Sequence, residues 1–288
     1  MLSIIGLVVL IVMVFGGFAI TGGSLGPVLH ALPHEFLIIG GAAAGATLVA
    51  TDIKGIKEMG GGLGKVVKGP KYKKADYGAA IFLTARLMRL FRTEGPTAVE
   101  PHIEDPKSSA IFAEYPQFAA DHFFISLVTD SIRLLVVSTG TLSPNAVDEV
   151  IETHIDTHHH AALKPVERLQ TMSDALPALG IVAAVLGVIK TMGSIDQPPA
   201  ILGAMVGSAL VGTFLGVLLS YGIVGPLSAR LKAVIDEDSE IYLVVRRVIV
   251  ATLKGQPQPL VIEAARTAIS PTHQPSFSEI FDGMRTAK

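Results

Sequence analysis

Four long apolar runs divide the chain, and polar stretches of very unequal length separate them. Residues 176–192 read LPALGIVAAVLGVIKTM and residues 201–226 read ILGAMVGSALVGTFLGVLLSYGIVGP, each apolar on every helical face. A bilayer's hydrocarbon takes about 20 such residues, so both predict membrane-spanning helices. The run from Ile4 to Ile20 is a third. It has neither a basic leading region nor a small-residue cleavage site, which predicts a retained span rather than a signal peptide. Gly22, Gly23, Gly26 and Pro27 break it, and a fourth run from Phe36 to Ala50 carries Gly41 and Gly45 at packing spacing.

The expected organisation is therefore spans at about 4–21 and 35–51 with loop 22–34 between them, and a cytoplasmic helical domain over 52–172. Spans at about 175–192 and 201–224 follow, with loop 193–200, and 227–288 is a C-terminal helical segment. Within the insertion, Phe123 to Val137 is apolar enough to suggest a fifth span. Asp130 and Arg133 would lie near its centre at roughly 2.5–3.5 kcal/mol each. His122, Ser126, Thr129, Asp130 and Arg133 instead form a polar stripe at helical spacing, which predicts an amphipathic helix packed on its neighbours. Tyr77 to Phe91 predicts another helix, ended by Gly95 and Pro96, and Ser143, Pro144 and Asn145 open a further one. No stretch alternates as a strand does. The fold class is all-α: a polytopic membrane protein with four spans and a helical cytoplasmic domain.

Composition agrees. Hydrophobic residues make up 50% of the 288, charged residues 17%, and mean hydropathy is +0.53, more apolar than a typical soluble domain. A net charge of -2 makes no case for nucleic acid. Of 23 Lys and Arg residues, none lies in 1–51, 14 lie in 52–168, one in 169–226 and 8 in 227–288. The positive-inside rule then places both long polar segments and both termini in the cytoplasm. The absence of cysteine excludes disulfides. Two local features carry less: Lys65 to Lys74 is read as a solvated basic loop that could meet anionic headgroups. His154, His158, His159 and His160 are read as a solvated helix face rather than a metal site.

The unusual chemistry lies in the last two spans. Pro177, Gly180, Ala184, Gly187 and Thr191 share one helical face, and Ala204, Ser208, Gly212, Gly216 and Ser220 recur every fourth residue, with Thr213 beside them. Such a seam serves plain helix packing, as in a passive scaffold, or lines a file of water. Converting an ion gradient into motion needs a titrating group deep in the membrane. Glu35 is expected at the outer edge of its span, Asp174 at the inner edge of the third and Asp196 in the outer loop, while Lys190 snorkels outward. No carboxylate is expected at mid-membrane, so a titrating one has to come from another subunit. No nucleophile with its base, phosphate loop or metal-ligand spacing suggests an enzyme.

The order of residues narrows this further. ALVGTFLGVL followed by Pro226, together with LPALGIVAAVLG, the N-terminal FGG and TGGSLG, IEDPKSSAIFAEYP, IETH and PSFSEI, closely resembles the MotA family of flagellar stator subunits over essentially the whole chain. The resemblance implies an inner-membrane pentamer around a MotB dimer that supplies a proton-binding aspartate. It implies an ion path lined by Thr213, Ala184, Gly180, Gly212 and Gly216, with Pro177 and Pro226 as coupling points. Rotor contact with the switch-complex protein FliG falls on Arg92 and Glu100, flanked by Arg89 and Glu94. Sodium-driven relatives carry threonine where this chain has Ala184, so protons are the implied coupling ion, with no other cofactor and no metal. An energiser of the ExbB or TolQ type is the nearest alternative; those have three spans and a differently ordered loop.

Overall fold

The computed structural model describes residues 2–138 and 142–286, and the described residues form helices and no strand, as the sequence predicts. The α-helices are α1 (Leu2–Ile20), α2 (Leu25–Ala50), α3 (Ile53–Lys68), α4 (Lys74–Glu94), α5 (Pro96–Glu104), α6 (Ala110–Ala113) and α7 (His122–Val137). They continue with α8 (Pro144–Met192), α9 (Pro199–Val217), α10 (Gly225–Leu253), α11 (Gln258–Arg266) and α12 (Phe277–Thr286). A 3-10 turn occupies Pro116–Phe118, and a π-helix, Leu218–Val224, joins α9 to α10. Contacts divide the chain into two compact units, residues 1–69 with 163–234 and residues 70–162 with 235–288.

The first unit holds the apolar helices. α1, α2, α8 and the run from Pro199 to Leu253 are long and apolar enough to cross a membrane. α1 buries no residue at all, and Ile4, Val8 and Val12 are at least half exposed. A helix with no polar side has that surface satisfied by lipid, because its backbone groups are already bonded internally. α2 packs along α9, where Ile39 and Ala43 join Leu176, Ala183 and Leu215 in a small core. α2 starts at Leu25, so residues 25–34, expected as loop, are helical. Pro27 sits in the first turn, where a missing N–H removes no helical bond, and the helix runs on through Pro33.

α3 is amphipathic and belongs to this unit. Asp52 caps it by accepting from the Gly55 N–H at 2.8 Å. Its packed side is Gly55, Met59, Gly62 and Val66. A Cβ on Gly55 would stand 2.4 Å from Arg168 Cζ, and that guanidinium bonds Glu58 at 2.7 Å. The other side exposes Ile53, Ile56, Leu63 and Val67 between Lys54, Lys57, Lys65 and Lys68. Apolar residues bracketed by lysines are the pattern of a helix lying in a membrane interface. Lys65 and Lys68 thus form the last turn of a helix, a correction to the loop expected there. Gly69, at φ +81°, closes the turn with its N–H on the Lys65 carbonyl at 2.8 Å.

The second unit is a helical domain whose core includes Leu83, Leu87, Phe124, Leu127, Ile132, Val244, Val248 and Ile262. α7 is the amphipathic helix its polar stripe predicts: Arg133 pairs with Asp130 and, at 2.7 Å, with Glu104 on the domain surface. Asp121 begins α7, accepting from the Phe124 N–H at 2.9 Å, from the Tyr72 hydroxyl and from the Tyr242 hydroxyl at 3.1 Å, with Lys71 Nζ also at 3.1 Å. Burial works to raise this carboxyl, but the Tyr72 and Phe124 bonds and Lys71 together hold it below the ordinary range. The histidine tract is not simply a solvated face. His158 stacks on Phe123 at 3.5 Å, His154 meets the same ring edge-on at 5.0 Å, and His159 reaches Asp236 at 3.3 Å.

Candidate functional site

The seam of small residues brings α8 and α9 into backbone contact. A Cβ placed on Gly180 would lie 2.8 Å from the Gly212 carbonyl oxygen and 3.0 Å from Gly216 Cα. One on Gly216 would lie 2.6 Å from the Leu176 carbonyl oxygen, and one on Gly187 would meet the Ala209 Cβ at 2.5 Å. Any side chain at these glycines therefore strikes main chain or the root of a side chain, neither of which can rotate aside. The structure thus joins Gly180, Gly212 and Gly216 in one helix contact. Ala184 is half-buried at its side, its backbone nitrogen 3.2 Å from where a Gly212 Cβ would stand.

Thr213 lies one residue, about 100° of helix, around from that contact. It is half-buried, and its hydroxyl makes no hydrogen bond among the described residues. Other threonines in the apolar helices behave differently. Thr47 and Thr191 each spend their hydroxyl on the carbonyl four residues back, at 2.8 and 2.9 Å, the usual fate of a threonine inside a helix. Thr213 Oγ1 is left available.

Glu35 corrects the sequence reading. Because α2 starts ten residues earlier than expected, Glu35 is not at the outer edge but inside the helix bundle, 7% exposed. Its Oε2 would be 2.7 Å from a Gly212 Cβ and has no hydrogen-bond partner. Ala31, Glu35, Ile39 and Ala43 are the buried residues of α2. That four-residue spacing is the signal, and it lies partly before Phe36, where the apolar run is read as beginning.

Pro177 and Pro226 also gain a context. Neither ends a helix: α8 continues through Pro177 to Met192, and Pro226 is the second residue of α10, directly after the π-helix. Proline cannot bond the carbonyl four residues back. Near Pro226 the chain answers by widening, with the Gly225 N–H reaching the Ser220 carbonyl five residues back. The same carbonyl accepts from Ser173 Oγ at 3.1 Å, and the two serine hydroxyls lie 3.2 Å apart, fully buried. Ser173 stands four residues before Pro177, so one buried serine pair fastens the helix before one proline to the helix before the other. Sequence reading placed Ser220 in the seam and missed Ser173.

The charged candidates lie in the second unit. Gly95, at φ +89°, turns the chain between α4 and α5, and Arg89, Arg92, Glu94 and Glu100 are all exposed around that turn. Arg92 touches only the Gln256 carbonyl, at 3.3 Å. None of the four has an ion-pair partner among the described residues. Arg86, Arg133, Arg246 and Arg266 are by contrast each consumed by an internal carboxylate.

Comparison with known proteins sets this arrangement in context. A family model described as motility protein A N-terminal matches residues 4–95, and one described as the MotA/TolQ/ExbB proton channel family matches residues 119–242. Motility protein A of Escherichia coli (strain K12) is 37% identical over 288 residues, 100% of this chain and 96% of the relative. Chemotaxis protein LafT of Vibrio parahaemolyticus is 35% identical over 97% of each chain. The fold is shared with the solved MotAB of C. jejuni, at a TM-score of 0.73 and 20% identity over 93% of this chain and 95% of that one. The flagellar MotAB stator complex from Bacillus subtilis gives a TM-score of 0.70 and 20% identity over 99% and 98%.

Proposed function

We infer the function from the family: the chain belongs to the motility protein A family, within the MotA/TolQ/ExbB proton channel group, and is a stator subunit of the bacterial flagellar motor. The observation that carries this is identity along the whole length. It includes the first two apolar helices, matched by the motility protein A N-terminal model. An ExbB or TolQ type energiser lacks that arrangement, which sets the alternative aside.

Finer assignments are our proposal. The chain works in the inner membrane with both termini in the cytoplasm, as five copies around a MotB dimer. The MotB-type partner supplies the carboxylate that takes up the ion beside Thr213. Glu35, the buried carboxylate of the spans, is turned to Gly212, and Thr213 faces about 100° away. Protons are the coupling ion. A sodium ion has to be held by several oxygens, and Ala184 offers no hydroxyl, whereas the unbonded Thr213 hydroxyl suits a water file. The helices bend at Pro177 and Pro226, and the Ser173–Ser220 pair keeps the two bends in step. Arg92 and Glu100, with Arg89 and Glu94, meet opposite charges on the rotor protein FliG; their exposure and their lack of ion-pair partners among the described residues support that role. Deletion tests the function directly. Cells lacking the chain should assemble normal filaments and fail to swim, and swimming deletion cells, or cells without filaments, would refute it.

A further inference from the structure

The cytoplasm-proximal half of α1 does not close against its neighbours. A cleft of about 730 Å³ remains between α1, the end of α3 and the start of α10. Leu7, Leu10, Val66 and Gly222 are among its apolar walls, and Lys68 and Arg230 also line it. The register of the helices fixes where the charges stand. A Gly222 Cβ would meet Leu10 Cδ1 at 3.0 Å, and Phe15 packs on Phe214 at 5.9 Å, so α1 runs antiparallel to the run from α9 into α10. Eight residues separate Leu2 from Leu10 and eight separate Gly222 from Arg230. At about 1.5 Å per residue the cleft is therefore about 12 Å long, apolar at the Leu10 end and cationic at the Leu2 end.

Two observations say what fits it. Neither Lys68 nor Arg230 has an ion-pair or hydrogen-bond partner among the described residues, although Arg168 in the same unit is paired with Glu58. And α3, which supplies Lys68, exposes Ile53, Ile56, Leu63 and Val67 among four lysines, the pattern of a helix seated at the boundary between headgroups and acyl chains. We propose that this cleft binds one anionic phospholipid of the cytoplasmic leaflet, its phosphate between Lys68 and Arg230 and an acyl chain along Leu7, Leu10 and Gly222. The arginine fork and the lysine ammonium both suit a phosphate, and a charge held at headgroup depth escapes the full screening of bulk salt. The lipid closes a gap that the helices leave open, and it holds α1 against the segment that carries the π-helix and Pro226. The proposal rests on the apolar helices crossing a membrane and not on the stator role.

The chain contains no tryptophan, so a single reporter placed in the cleft reads this site alone. Leu7→Trp in the full chain, reconstituted in bilayers, is measured for quenching by phosphatidylglycerol and by phosphatidylcholine, each brominated on the acyl chains. Phosphatidylglycerol should be preferred about tenfold or more, the lower end of what one charge-assisted bond is worth. Lys68→Gln with Arg230→Gln should bring the preference close to one, while Lys57→Gln, on α3 but outside the cleft, should leave it unchanged. Gly6 lines the cleft, and a Cβ there meets nothing within 4 Å. Gly6→Phe should therefore abolish the preference although both cations remain. Equal quenching by the two lipids overturns the site. A loss with Lys57→Gln as large as with the double variant means diffuse surface attraction and overturns it as well. Absence of quenching by either lipid means that protein fills the cleft, and this outcome likewise overturns the lipid site.

Discussion

Replacing Gly180 by alanine tests whether α8 and α9 are held together by backbone contact. The added methyl would lie 2.8 Å from the Gly212 carbonyl oxygen and 3.0 Å from Gly216 Cα, whereas ordinary van der Waals contact begins near 3.4 Å. Both obstacles are main chain, so relief comes only from moving one helix away from the other. The shortfall at the carbonyl, 3.4 minus 2.8 Å, sets that movement at about 0.6 Å. A gap of that size forfeits roughly a quarter to a half of the dispersion energy of each facing atom pair, and overpacking of this kind costs about 1–3 kcal/mol. Gly203 and Gly45 supply the control, because a Cβ on either meets nothing within 4 Å. Alanine there should be neutral or stabilising, since it removes the helix penalty of glycine, about 1 kcal/mol in water. Thermal unfolding of the full chain in detergent should therefore show a lowered Tm for Gly180→Ala and an unchanged or raised Tm for Gly203→Ala and Gly45→Ala. Gly216→Ala, whose methyl would sit 2.6 Å from the Leu176 carbonyl oxygen, should be at least as damaging as Gly180→Ala. If Gly180→Ala melts with the controls, the close approach is not what holds these helices.

Four further expectations concern the ion path, the rotor contact and the buried carboxylate. Thr213→Ala should slow proton flux and rotation about fivefold, the worth of one hydrogen bond of ~1 kcal/mol to path water, with no change in protein level. Swimming speed should ignore external sodium, and a speed that rises with sodium at constant membrane potential would refute the proton assignment. Arg92→Glu should depress swimming while the stator still assembles, as measured by co-purification, and a matching charge reversal on the rotor should restore part of it; normal swimming of an Arg92→Glu, Glu100→Lys chain counts against the contact. Glu35→Leu should raise the Tm of the full chain, because it removes a buried oxygen without a partner, a group whose desolvation costs about 1–3 kcal/mol; a fall in Tm would mean that Glu35 is bonded after all.

The sequence made the apolar helices and the α7 assignment legible because each is decided by composition over many residues. A run of some twenty apolar residues has one stable solution in lipid, and a stripe containing Asp130 and Arg133 has one in water. Features decided by a single neighbour were not legible. Taking the start of α2 from the apolar run at Phe36 places it too late, because a helix that runs on through Pro27 and Pro33 depends on packing that no local pattern shows. Glu35 was misplaced with it. Ser173 looked like any polar residue before a span, and only the approach of Ser220 from 47 positions along the chain gives it a partner. The glycine seam could be read as a pattern, but whether it faced water, lipid or another backbone was a matter of distances. The histidine tract likewise owes its packing to Phe123, on a different helix.

The π-helix at Leu218–Val224 has a mechanical meaning. Its bonds reach five residues back rather than four, so the segment stores a dislocation, one residue more than an α-helix of the same length would hold. Annealing that defect would turn the residues immediately beyond Gly225 by about 100° and advance them by about 1.5 Å along the axis. Pro226 pins it, because a residue without an N–H cannot complete the α-helical bond to the Gly222 carbonyl and let the defect pass. The Ser173 hydroxyl rests on the Ser220 carbonyl that the widened turn uses, so moving the defect would also break this buried bond. On the reading that Pro226 is a coupling point, such a joint would move in whole-residue steps rather than bend through a continuous range.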